Sequence, residues 1–162
     1  MSLVNTTTLN TNHMVNVDTL NRIRAEIPEH VCLVAVSKTK PVSDIQQAYN
    51  EGVRDFGENR AQELLEKVGQ LPEDIRWHAI GHLQTNKAKQ VANLVNLVHA
   101  VDSSRLFEAL AKCASSPLDV LLQVHIASES SKHGFSSKEL FDTLDSGLLS
   151  SPSINIRGVM GM

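Results

Sequence analysis

The sequence predicts an α/β fold of the (β/α)8 TIM-barrel type, incomplete here at about six βα units, with parallel strands and outer helices. Three observations carry this expectation. Short apolar, β-branched runs alternate with longer amphipathic segments. The runs begin near Val31, Arg54, Arg76, Leu97, Asp119 and Ile154, at separations of 23, 22, 21, 22 and 35 residues. No glycine-rich loop follows the first run, where 37–40 reads Ser-Lys-Thr-Lys; that weakens a doubly wound dinucleotide fold. Parallel neighbours need a crossover, so the alternation implies a sheet covered by helices. A typical barrel runs to ~250 residues. At 162 residues this chain reads as a barrel cut short after its sixth run.

The elements follow in order. Residues 1–13 are rich in Thr and Asn without a sustained period, and read as a disordered tail; 14–162 read as one barrel domain. Apolar residues then recur at helical spacing (Met14, Val17, Leu20, Ile23, Ile27) until Pro28 ends the helix. The apolar run 31–36 is the first strand. Helices are expected over 43–51, 60–69, 85–93, 104–114 and 136–149. Ser43, Asp102-Ser103, and Ser136 or Ser137 sit where helix starters belong. Cys32 falls in the first strand and Cys113 in a helix, so both read as packing residues.

Composition narrows the function. Fifteen Lys and Arg against eighteen Asp and Glu give a net charge of −3, without the basic excess of a nucleic-acid or anionic-membrane binder. Aromatics are 4% of the chain, too few for base-stacking platforms. The longest apolar run is far below the ~20 residues of a spanning helix, and no secretory leader is visible at the N-terminus. Two cysteines 81 positions apart form no disulfide framework and fit a reducing cytoplasm.

In a βα barrel the site lies at the carboxyl ends of the strands. Those ends give Lys38; Glu58, Asn59 and Arg60; His78, Gly81 and His82; Asp102; His125; and Met160 with Gly161. Strand alternation puts Lys38 on the face of Val34 and Val36. Such a lysine either snorkels to water or stands in a partly dry pocket, where a neutral amine can form a Schiff base with an aldehyde. Asn59 reads either as an N-cap with Glu58 as a first-turn charge, or as a donor to a ligand hydroxyl or phosphate. His78 and His82 stand at i, i+4 but span a strand end and a glycine, without the glutamate of HExxH, so no metal site is expected. No nucleophile elbow, P-loop or paired catalytic cysteine occurs, and no catalytic residue is assigned.

Several motifs are more specific. VAVSKTKP (34–41), FGENRAQE (56–63), WHAIGHLQTNK (77–87), VHAVDS (98–103), SKHGF (131–135) and RGVMGM (157–162) resemble the pyridoxal phosphate homeostasis protein family. That family is similar to the N-terminal domain of alanine racemase, a barrel that holds pyridoxal 5′-phosphate at its mouth. The resemblance implies that Lys38 carries the cofactor as an internal aldimine. It implies that Asn59 and His78 line the pocket, and that Met160 and Gly161 lie under the cofactor. This chain departs from the family at His125, where an asparagine is usual, and stops before the two further units that hold the phosphate.

The resemblance therefore implies a cytoplasmic protein that binds pyridoxal 5′-phosphate and balances vitamin B6 pools, with cofactor-dependent apoenzymes as candidate recipients. The alternative is an amino-acid racemase, which needs a second acid/base on the opposite face; the single tyrosine, Tyr49, falls on the first barrel helix. A metal-dependent barrel hydrolase is the remote alternative. A sheet with two unpaired outer strands also implies marginal stability, weak cofactor retention and a tendency to associate, and leaves the oligomeric state open.

Overall fold

A computed structural model describes residues 15–126 and 133–161. The expected tail over 1–13, and Met14, Ser131, Lys132 and Met162 of the segments named above, lie outside the described residues. Helix α1 (Val17–Glu26) precedes β1 (Ala35–Val36), α2 (Val42–Asn50), β2 (Asp55–Glu58), α3 (Ala61–Val68) and β3 (Arg76–Ala79). A 3₁₀ turn (Thr85–Lys87) and α4 (Ala88–Val91) then lead to β4 (Leu97–Val101), α5 (Ser104–Cys113), β5 (Leu118–Val124), α6 (Ser137–Asp145) and β6 (Ile154–Gly161). The strands form one parallel sheet in sequence order, from β1 at one edge to β6 at the other. The sheet is not closed: among the described residues β1 pairs with β2 alone and β6 with β5 alone.

Period-two alternation sorts each strand into two faces. Phe56, Trp77, Val98, Val120 and Leu122 join Ile45, Leu64, Val91, Phe107 and Leu110 of the helices in one buried cluster. The other face carries Asp55, Gly57, Arg76, His78 and His99. Local chemistry starts the helices. The Asn16 side chain accepts from the Thr19 N–H, and that of Ser103 from the Leu106 N–H. Ser136 and Glu139 form a reciprocal capping box. No described helix is long and apolar enough to cross a membrane.

Three local expectations are corrected. The run 31–36 contributes only Ala35 and Val36 to the ladder, because Ala35 already stands opposite Phe56 and β2 begins only at Asp55, so the earlier residues have no strand to pair with. Cys32 thus lies before β1 and is exposed, whereas Cys113 does end α5 and packs against the core. Pro41, not Ser43, caps α2, since its fixed φ suits a helix start. Asn59 is not an N-cap: Arg60 holds that position on α3, and Glu58 ends β2 as a buried residue, 2% exposed.

Candidate functional site

Because all six strands are parallel, their carboxyl ends share one edge of the sheet. Along it stand Lys38 after β1, Asn59 after β2, Gly81 and His82 after β3, Asp102 after β4, His125 after β5 and Gly161 at the end of β6. Lys38 is exposed, so its amine is open to solvent and not in the partly dry pocket that was one of the expected settings. The face it continues is open as well, with Val36 53% exposed. Asn59 is half-buried, and its backbone passes so close to Gly81 that a Cβ there would stand 2.5 Å from the Asn59 carbonyl oxygen. Any side chain at 81 would push the β2 and β3 ends apart, which is why glycine is needed. Met160 is half-buried and Gly161 exposed at the far edge of the sheet, where a Cβ on Gly161 would meet Ile126 at 2.9 Å.

The backbone around Lys38 is held by a network on the helix side of the sheet. Ser37 is buried; its N–H donates to the Gly57 carbonyl at 2.9 Å and its hydroxyl to Glu58 Oε1 at 2.6 Å. Lys67 of α3, 7% exposed, donates to the Ser37 carbonyl at 2.9 Å, to Glu58 Oε1 at 2.7 Å and to Glu63 Oε2 at 3.4 Å. The three protons of its ammonium thus have three acceptors. The Thr39 N–H donates to Glu63 Oε2 at 2.8 Å. That hydrogen bond, aided by Lys67 and Arg60, holds the Glu63 carboxyl below the usual carboxylate range against the cost of burial. None of Glu58, Glu63 and Lys67 was singled out for this role by their spacing in the sequence. The one available signal was a lysine on the apolar stripe of a helix, with Leu64, Val68 and Leu71 as its neighbours.

A second polar chain crosses the other face of the sheet. Arg76 bonds Asp55 through Nε at 2.7 Å and also through Nη2. Asp55 Oδ1 takes His78 Nε2 at 3.1 Å, and His78 Nδ1 meets His99 Nε2 at 2.9 Å. Burial opposes the Asp55 charge, but hydrogen bonds from Arg76 and His78 outweigh it and hold this carboxyl below its ordinary value. The contact between the two imidazoles needs one donor and one acceptor, so the pair carries at most one charge without breaking it. Burial, with His78 alongside, accordingly pushes His99 from 6.5 down to about 4.

Between pH 6.5 and about 4 the unfolded chain binds a proton at His99 that the folded chain does not. The stability this group contributes is present above pH 6.5 and is lost as the pH falls toward 4. Asp55 acts in a separate window: its contribution is present above the unfolded carboxylate value and lost only in stronger acid. Urea midpoints at pH 7 and pH 4.5 are expected to show His99 contributing about 1–2 kcal/mol to that difference, after allowance for solvent screening of a half-buried ring. His99→Asn should flatten the slope; an unchanged slope would contradict the assignment.

The structure separates the two histidines of the 78–82 pair. His78 joins Asp55 and His99, whereas His82 donates from Nδ1 to Asp102 Oδ2 at 2.8 Å. His133 stacks on His82 with ring centroids 3.9 Å apart and planes at 14°. His133 Nδ1 lies 4.0 Å from the same Asp102 Oδ2, and ligand-type atoms of His82, Asp102 and His133 fall within 4.8 Å of one another. Tyr49 lies near the end of α2, donates its hydroxyl to Asp74 at 2.6 Å and carries the Arg54 guanidinium over its ring at 3.8 Å. Arg54 immediately precedes β2, so the only tyrosine of the chain is engaged at the amino edge of the sheet, away from Lys38.

Known proteins match this arrangement. Residues 17–162 match the family described as alanine racemase, N-terminal domain. The pyridoxal phosphate homeostasis protein of Schizosaccharomyces pombe is 38% identical over 133 residues, covering 76% of this chain and 56% of the relative. That of Escherichia coli K12 is 39% identical over 142 residues, covering 83% and 60%. The chain thus spans about 60% of the length of these curated relatives. Among solved structures, PipY of Synechococcus elongatus without PLP superposes with a TM-score of 0.83 at 35% identity, covering 90% of this chain and 69% of PipY. PipY with PLP bound gives 0.79 at 34% identity, covering the same shares. Alanine racemase from E. faecalis gives 0.70 at 17% identity and covers 90% of this chain and 40% of the racemase, a likeness of fold alone. The pyridoxal phosphate homeostasis proteins named above are relatives of this chain, which belongs to the alanine racemase N-terminal domain family.

Proposed function

We propose that this chain binds pyridoxal 5′-phosphate through Lys38 and serves vitamin B6 homeostasis in the cytoplasm, holding the cofactor for dependent apoenzymes and not turning over a substrate. The observation that carries this reading is a solvent-open primary amine on a braced turn at the carboxyl edge of the sheet. It stands in a chain 34% identical to PipY, which has been solved with PLP bound. The group supplies an aldehyde, which condenses with a primary amine by forming a carbon–nitrogen bond and releasing the carbonyl oxygen as water. The residues present fit that aldehyde end. Lys38 offers the amine, Asn59 stands half-buried at the end of the neighbouring strand β2, and Gly81 lets the Asn59 backbone approach closely where the β2 and β3 ends meet. His78, Met160 and Gly161 complete the proposed lining.

Two observations weigh against racemisation. The reaction needs a second acid/base across the cofactor plane, and Tyr49 is occupied by Asp74 at the other edge of the sheet. Asp74 also pushes the Tyr49 phenol above its ordinary value.

The test is to mix the chain with pyridoxal 5′-phosphate, reduce with borohydride and map the labelled peptide. Lys38 should carry the label, and Lys38→Ala should lose the visible absorbance band together with most of the bound cofactor. Equal labelling of both proteins would point to scattered surface lysines and end the proposal. Solvent deuterium appearing at Cα of an L-amino acid above the free-cofactor background would favour the racemase instead.

A further inference from the structure

We infer that Glu58, Glu63 and Lys67 act together as a positioning device, locking the backbone on both sides of Lys38 so that its amine leaves the sheet edge from one fixed point. The inference rests on the reading that Lys38 captures the cofactor aldehyde, and goes beyond it by naming what aims that amine.

The bracing is specific to the two flanking residues. Before Lys38, Ser37 is tied by three partners: its N–H to Gly57, its hydroxyl to Glu58 and its carbonyl to Lys67. The same carbonyl accepts from the Lys40 N–H at 3.0 Å, which closes a turn around Lys38. After Lys38, Thr39 has φ +62°, the one positive value at a non-glycine among the described residues. A β-branched residue seldom adopts that conformation, and it persists only where the surroundings impose it. Here Glu63 imposes it by accepting the Thr39 N–H at 2.8 Å, and Lys67 ties Glu63 back to Glu58. A buried ion pair is a weak device for stability alone, because desolvation offsets most of the attraction. Its best-attested use is to select one arrangement, and the arrangement selected here is the turn that presents Lys38.

Holding a reacting group in one geometry raises its effective concentration toward a bound partner. The other lysines gain nothing from this brace, and that difference is measurable. Three variants test it: Glu63→Ala, which removes the acceptor for Thr39; Glu63→Gln, which keeps one; and Glu58→Gln with Lys67→Met, which removes both charges together. Each is titrated with pyridoxal 5′-phosphate, reduced, and scored by peptide mapping for label at Lys38 against label at all other lysines. Amide hydrogen exchange at Thr39 and Lys40 is followed in parallel. Glu63→Ala and the double variant should bind at Lys38 about tenfold more weakly with labelling elsewhere unchanged, while Glu63→Gln stays within about twofold. Exchange at Thr39 and Lys40 should quicken in Glu63→Ala while amides of β3 and β4 keep their protection.

Folded Glu63→Ala that labels Lys38 at wild-type concentrations, or keeps wild-type exchange at Thr39 and Lys40, overturns the inference. Should the double variant fail to fold, Glu63→Ala decides alone. Wild-type label found away from Lys38 would instead defeat the reading of Lys38, and the exchange result would still decide whether these side chains lock the turn.

Discussion

Replacing Lys67 by methionine is expected to lower the free energy of unfolding by about 3–5 kcal/mol. Methionine fills much of the space of the lysine stem but removes the ammonium that faces the Ser37 carbonyl, Glu58 and Glu63. Glu58 would then be a carboxylate 2% exposed with no cation against it. Among the described residues its Oε2 has no hydrogen-bond partner, so little there compensates the charge. Small domains unfold with about 5–15 kcal/mol, so this single change could take the chain close to its limit. Joining Glu58→Gln to Lys67→Met should recover most of the loss, because the orphaned charge goes with it. Urea titrations followed by circular dichroism measure both. A loss under about 1 kcal/mol for Lys67→Met would show that the pair behaves like an exposed one and would refute the burial argument.

Phe56→Ala is expected to cost about 3–5 kcal/mol. Phe56 is 1% exposed, on the helix face of β2, with its ring centroid 6.0 Å from that of Trp77. It pairs with Ala35 on one side and Trp77 on the other, and with Ile45 and Leu20 it lines the space where α1 and α2 meet the sheet. Truncation removes the transfer energy of the ring and leaves a cavity that rigid strands on either side cannot collapse. Phe56→Leu should cost about 1–2 kcal/mol, since most of the volume stays. Equal midpoints for Phe56→Ala and the parent chain would mean that this part of the core is already loose. The same change should weaken cofactor capture only as far as it lowers the folded fraction, because Phe56 faces away from Lys38.

Much of the architecture was readable from pattern. Short apolar, β-branched runs, most at steps near 22 residues, implied a parallel sheet covered by helices, and the strands are parallel. Ser103 and Ser136 signalled helix starts because a short side-chain oxygen can satisfy orphan N–H groups wherever the chain turns into a helix. Ser43 misled because α2 already begins at Val42, with Pro41 setting the entry by its fixed φ and no side chain capping the first N–H groups. Cys32 misled because a strand propensity is realised only where a neighbour supplies the ladder.

Lys38 was singled out because its position at a strand end is a one-dimensional fact, legible in 34–41 without coordinates. Its solvent-open setting, the Glu58–Lys67 pair behind it and the Glu63 tie to Thr39 were not legible. Those contacts join residues 9 to 30 positions apart across a strand and a helix. The sequence by itself determined the alternation, the parallel pairing and the amine at the sheet edge, since each follows from local periodicity and spacing. Tertiary structure alone decided which charges are buried together and how the turn bearing that amine is held. Burial and hydrogen-bond partners depend on the packing of α3 against the β1 and β2 ends, and no local pattern encodes that packing.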